Sequence, residues 1–177
     1  MQVWVTDKSK VAKMQSKHDI THVLSLLDIG DRPFLHPHRT IRQNCLLLNF
    51  EDEIHADHPG APTKAEVEKI LAFGKALPAD ARLLVHCFAG VSRSTAAALA
   101  IMVQHHGLDK IDDCINMLVE QRPQACPNPV ITRYADDLLE ANGKLFEAGE
   151  TCANKKLLKL WGGELTSANF EERSSFN

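Results

Sequence analysis

The chain has 177 residues, of which 44% are hydrophobic and 24% charged, and its net charge is −3. That length predicts about one domain with one sizeable core, and the composition excludes a disordered chain, a collagen-like chain and a coiled-coil rod. The charge balance lacks the basic footprint of a nucleic-acid binder. The opening MQVWVTDKSK lacks a signal-peptide core, and no run approaches the ~18 apolar residues of a membrane span. A cytoplasmic, enzyme-sized domain with no nucleic-acid or membrane partner is expected.

In chain order, Gln2–Val5 reads as a short strand, and Asp7 or Ser9 as the cap of a helix over Lys10–His18. His22–Leu27 (HVLSLL) reads as a buried strand ending at Asp28, and Gly30–Arg39, with Pro33 and Pro37, as a loop. Cys45–Phe50 (CLLLNF) is a second buried strand, followed by an acidic loop over Glu51–Gly60. Thr63 with Glu66 forms a capping box that opens a helix to Leu77, ended by Pro78. Leu83–His86 is an apolar strand. An Ala-rich helix follows Arg93 to about His105 and closes at Gly107. Asp109–Gln121 is helical until Pro123, and Pro129–Glu140 is a further helix. Lys155–Trp161 (KKLLKLW) reads as a short docked helix and Glu171–Asn177 as a frayed end. Alternating strands and helices predict an α/β fold with a central, mostly parallel sheet of four to five strands flanked by helices. Residues 1–150 read as the single domain and 151–177 as a C-terminal extension.

Five cysteines (Cys45, Cys87, Cys114, Cys126 and Cys152) are widely spaced and form no CxxC pair. A zinc ribbon and a dithiol redox pair are therefore not expected. The cysteines read as reduced thiols, most of them inert, buried small hydrophobes.

Cys87 stands apart. The segment His86-Cys87-Phe88-Ala89-Gly90-Val91-Ser92-Arg93-Ser94 lies between a buried strand and the start of a helix. Backbone N–H groups of a tight loop and of a first helical turn make an anion cradle the size of a phosphate. Phe88, Ala89, Gly90, Val91, Ser92 and Arg93 supply that cradle. Gly90 allows the sharp turn, and Arg93 offers a planar fork for two phosphate oxygens. A helix N-terminus beside a guanidinium favours the thiolate of a cysteine placed there, which makes Cys87 a nucleophile. Ser94 brings a hydroxyl near the sulfur to ease its departure. His86 either braces the loop or is an ordinary buried histidine. From the residues alone, the segment is an anion-binding loop with a nucleophilic cysteine.

The form HCxxGxSRS resembles the Cys-x5-Arg signature of the protein tyrosine phosphatase superfamily, and within it the dual-specificity branch. Arg122-Pro123 followed by Pro127-Asn128 resembles the RP…PN segment of that branch. The resemblance covers roughly Val23 to Leu139. It implies a phosphate loop between strand and helix in a mostly parallel sheet, and a mechanism through a cysteinyl-phosphate without metal or cofactor. It also implies a general acid on a loop upstream of the signature. Asp28, Asp52 and Asp57 follow carboxyl ends of strands, where ligands of such sheets bind. Asp52 fits best because it follows its strand almost directly; Asp57 is the runner-up, with Asp28 and Asp31 behind. His55 and His58 make the acidic loop unlike that of many relatives and add a histidine as a possible donor.

The expected activity is phosphate-monoester hydrolysis, with protein phosphotyrosine as the leading substrate and dual specificity allowed. The alternatives are a small phosphorylated metabolite and a catalytically silent phosphate-binding module. No Lys stands between Cys87 and Arg93, whereas relatives acting on inositol lipids often carry basic residues there. His36 and His38 with His55 and His58 have no diagnostic metal spacing, so no metal site is expected. Cys45 has two readings: a resolving thiol for Cys87, and a buried strand thiol, which is favoured. The partner expected is a phosphorylated protein or small phosphate ester, acted on by a monomer.

Overall fold

A computed structural model of the chain describes residues 1–31 and 44–161, with side chains described to residue 153. His36, His38, Pro33, Pro37 and Glu171–Asn177 lie outside the described residues.

Among the described residues, four parallel strands form one sheet in the order β1-β4-β2-β3, where β1 is Gln2–Asp7, β2 His22–Leu27, β3 Cys45–Asn49 and β4 Arg82–Cys87. The two central strands, β4 and β2, are buried along almost their whole length, as continuous apolar runs in a sheet covered on both faces must be. The register sets His86 beside Ser25 and Asp7 beside Cys87, so the carboxyl ends of the strands open at one end of the sheet. Alternation along the strands divides the core: Leu83, Val85, Leu24 and Leu26 join the large cluster, while Leu84 and Val23 join a small one with Val11 and Ile20.

Among the described residues, six α-helices surround the sheet: α1 (Val11–His18), α2 (Lys64–Lys75), α3 (Arg93–His106), α4 (Ile111–Gln121), α5 (Pro129–Leu138) and α6 (Lys144–Trp161). The small cluster lies under α1 and the large one under the other helices. Helix α3 is buried from Arg93 through Val103, and its alanines let it lie close against the sheet and the helices around it.

The Thr63–Glu66 capping box forms in full: Glu66 N–H donates to Thr63 Oγ1 at 3.3 Å and Thr63 N–H to Glu66 Oε2 at 2.8 Å. Gly107 ends α3 with φ +94°, which a side chain would resist. The N-terminal helix begins later than expected. A 3₁₀ turn, Lys8–Lys10, precedes α1, and Asp7 caps that turn by accepting from Ser9 N–H. The C-terminal helix is longer than the short element expected over Lys155–Trp161. It begins at Lys144 and runs unbroken past residue 150. Its start is set by tertiary structure, since the buried Asp136 carboxylate accepts from the N–H groups of Gly143, Leu145 and Phe146. No helix among the described residues is long and apolar enough to cross a membrane.

Candidate active site

Strand β4 ends at Cys87 and α3 begins at Arg93, leaving Phe88–Ser92 as the connecting loop. Every carbonyl of that loop is bonded by a donor from outside it. Phe88 O accepts from Lys8 N–H at 3.2 Å. Ala89 O and Gly90 O accept from Arg122 Nη2 and Nε, each at 3.0 Å. Val91 O accepts from Cys126 N–H at 2.9 Å and from Thr95 Oγ1. Ser92 O accepts from Ala96 N–H at 3.0 Å and from Thr95 Oγ1 at 2.8 Å. In a planar trans peptide the C=O and the next N–H point opposite ways, and the described residues have no cis bond. Outward carbonyls therefore turn the N–H groups of Ala89, Gly90, Val91, Ser92 and Arg93 inward. Gly90 shows the direction, because its N–H donates to Cys87 Sγ at 3.2 Å.

Gly90 is required for two independent reasons. Its φ is +67°, and a Cβ there would lie 2.5 Å from the Thr6 carbonyl carbon and 2.7 Å from Arg122 Nη2.

Cys87 is buried, with Ser94 Oγ 3.1 Å from its sulfur. His86 is buried beside it in sequence and shares a 2.7 Å hydrogen bond with Ser25 Oγ on β2, which ties the loop's root to the neighbouring strand. Arg93 is 2% exposed. Its Nη1 donates to Phe50 O at 2.7 Å and lies 2.7 Å from Asp28 Oδ1, while its Nε is buried without a hydrogen-bond partner. The fork is thus anchored at one end and has a donor to spare at the other.

The loop after β3 brings Asp52 to this cradle. Its Oδ1 accepts from Ser92 Oγ at 2.6 Å and from Asn128 Nδ2 at 3.0 Å, and its Oδ2 lies 4.0 Å from Arg93 Nε. Asn128 also donates to Glu53 O at 2.9 Å, and its Oδ1 caps α5 by accepting from Val130 N–H and Ile131 N–H. One buried amide therefore fixes both the Asp52 loop and the start of a helix. Among the described residues, no hydrogen bond or ion pair joins Asp57 to the cradle. His58 lies 3.8 Å from Glu53 and turns back on its own loop, where its Nδ1 accepts from Gly60 N–H. Asp28 belongs to Arg93, and Asp31 lies 3.6 Å from Lys8.

Two residues important to this geometry were not singled out from the sequence: Arg122, which holds two loop carbonyls, and Asn128, which holds Asp52. The only sign of them was the Arg-Pro and Pro-Asn segments. Cys45 cannot reach Cys87 without rearrangement. It is two strands away, a lateral offset of ~10 Å, beyond the ~7 Å that a disulfide spans between Cα atoms. It starts β3 at the opposite end of the sheet. Burial pushes its thiol up, only partly offset by Ser25. No group of three or more metal-ligating side chains converges among the described residues.

A family model of the dual specificity phosphatase catalytic domain matches residues 3–141. The chain belongs to the dual specificity phosphatase family. It is a cysteine-dependent phosphatase domain, and its four-stranded parallel sheet flanked by helices is the family fold. Among solved structures, human DUSP28 superposes with a TM-score of 0.60 at 21% identity, over 79% of this chain and 92% of that one. DUSP15 is 25% identical, with a TM-score of 0.52, over 84% of this chain and 90% of that one. The human tyrosine phosphatase-like serine/threonine/tyrosine-interacting protein is 23% identical, with a TM-score of 0.55, over 77% and 87%. No curated protein matches the chain.

Proposed function

We propose that this phosphatase hydrolyses phosphotyrosine in proteins through a cysteinyl-phosphate. The inward N–H groups of Ala89, Val91, Ser92 and Arg93 and the Arg93 guanidinium hold the three non-bridging phosphoryl oxygens, while Gly90 N–H faces Cys87 Sγ. Cys87 Sγ attacks phosphorus in line with the ester oxygen, the P–O bond breaks, and Asp52 gives the departing oxygen its proton. Oδ1 of Asp52 is held by two donors, so Oδ2 is the atom that delivers it. Asp52, now a carboxylate, then takes a proton from water as that water attacks phosphorus, and the P–S bond breaks. Ser94 Oγ and Gly90 N–H receive the sulfur's returning charge. Most of the acceleration comes from positioning and from fixed dipoles around the phosphoryl group.

The observation that carries this reading is the set of outside donors on all five loop carbonyls, which fixes an anion cradle directly around Cys87 Sγ. The test is hydrolysis of a phosphotyrosine peptide and of a small sugar phosphate, in chelator, by the wild type and by Cys87→Ser. The expected outcome is turnover of the peptide in preference to the sugar phosphate, lost in the variant. Preference for the sugar phosphate would replace the substrate class, and turnover that survives in Cys87→Ser would overturn the mechanism.

A further inference from the structure

Four large hydrophobic side chains stand out as exposed among the described residues: Ile29, Ile54, Phe88 and Met117. Met117 lies on α4. The other three follow the carboxyl ends of β2, β3 and β4, the three strands whose ends carry Asp28, Asp52 and Cys87. Single exposed apolar residues are ordinary, but three gathered at the end of the sheet that holds the site call for a ligand that is apolar there.

Phe88 is the best defined of them. It directly follows the nucleophile and is 54% exposed. One residue holds it twice: Lys8 N–H donates to Phe88 O at 3.2 Å, and Lys8 Nζ lies 4.0 Å from the ring centroid. Lys8 Nζ is in turn 3.6 Å from Asp31 Oδ2, so the cation is anchored to the loop after β2. A cation over one face of a ring fixes its plane and leaves the rest of the ring for contact. An aryl ester places a flat ring just beyond its bridging oxygen, whereas a seryl or threonyl ester places one or two aliphatic carbons and then backbone.

We infer that Phe88, held in place by Lys8, is a specificity-determining residue, a wall against which the phosphotyrosine ring packs. The inference rests on the phosphotyrosine reading above and deepens it.

The test compares kcat/KM on two peptides of identical sequence, one with phosphotyrosine and one with phosphothreonine, for the wild type, Phe88→Ala, Phe88→Leu and Lys8→Gln. An offset ring pair predicts that Phe88→Ala lowers the tyrosine-over-threonine preference roughly fivefold. The larger loss falls on KM for the phosphotyrosine peptide, with a smaller change on the phosphothreonine peptide. Phe88→Leu, which keeps bulk but loses the flat face, and Lys8→Gln, which frees the ring, fall between. An unchanged preference, or an equal loss on both peptides, would overturn the specificity role and leave the phosphatase mechanism standing. A wild type without preference for phosphotyrosine would overturn the substrate reading and this inference with it.

Discussion

Arg93 is a buried cation whose partners are chosen to leave part of it unsatisfied. Asp28 and the Phe50 carbonyl hold Nη1, and Nε is buried with no hydrogen bond. A lysine would keep the charge and lose the fork. Arg93→Lys is therefore expected to lower kcat/KM on an aryl phosphate about a hundredfold or more, as loss of one pre-aligned donor does, measured by steady-state kinetics. Asp52→Asn keeps both bonds to Oδ1 but removes the proton. Its kcat is expected to fall by about 10²–10³ for a poor leaving group, and much less for an activated one that needs no proton. Equal losses on both leaving groups would remove Asp52 as the acid. Cys87, Arg93 and Ser94 were legible because they lie within eight consecutive residues of one strand–loop–helix turn. Arg122 and Asn128 were not, because they reach the site by tertiary packing from 32 and 76 residues away along the chain.

At the scale of elements, the loop between Cys87 and Arg93 is shaped by what surrounds it. Gly90→Ala would drive a Cβ into the backbone at the end of β1 and into Arg122. It is expected to cost more than ~2 kcal/mol and most of the activity, read by chemical denaturation and kinetics together. The end of β1 also carries a pH-dependent contribution. Burial pushes the Asp7 carboxyl up, but the Ser9 and Lys10 hydrogen bonds and the Lys10 charge outweigh it and hold it at about 2. Because the folded value is depressed, the stability from Asp7 is complete above the ordinary value of 3.8 and is lost as pH falls towards about 2. Asp7→Asn is expected to lower stability by on the order of 1 kcal/mol at neutral pH. Its gap from the wild type should narrow as pH falls below 4, measured by denaturation at several pH values. Helix boundaries set by local chemistry, such as Thr63–Glu66 and Gly107, were readable from the sequence. The start of α6 was not, because its cap is Asp136 on the preceding helix.

In the whole molecule, one end of a parallel sheet gathers the site. Cys87 ends β4, the partner of Arg93 follows β2, and the carboxylate bonded to Ser92 follows β3. The alternation of apolar strands with helices made this architecture legible, since only a sheet covered on both faces buries such strands. The order β1-β4-β2-β3 was not written in any local pattern, because β4 pairs with β1 and β2 from far along the chain. Packing also sorts the cysteines. Burial and the Asp113 charge push the Cys114 thiol up to about 11, and burial raises Cys45. Iodoacetamide at neutral pH is therefore expected to spare both, as read by peptide mapping. A rapid acid quench of the wild type during turnover of an aryl phosphate, followed by peptide mapping at acidic pH, reads whether phosphate passes through Cys87. The expected result is phosphate on the Cys87 peptide in the wild type and none in Cys87→Ser. Steady turnover with phosphate on another residue, or with Cys87→Ser as active as the wild type, would contradict it.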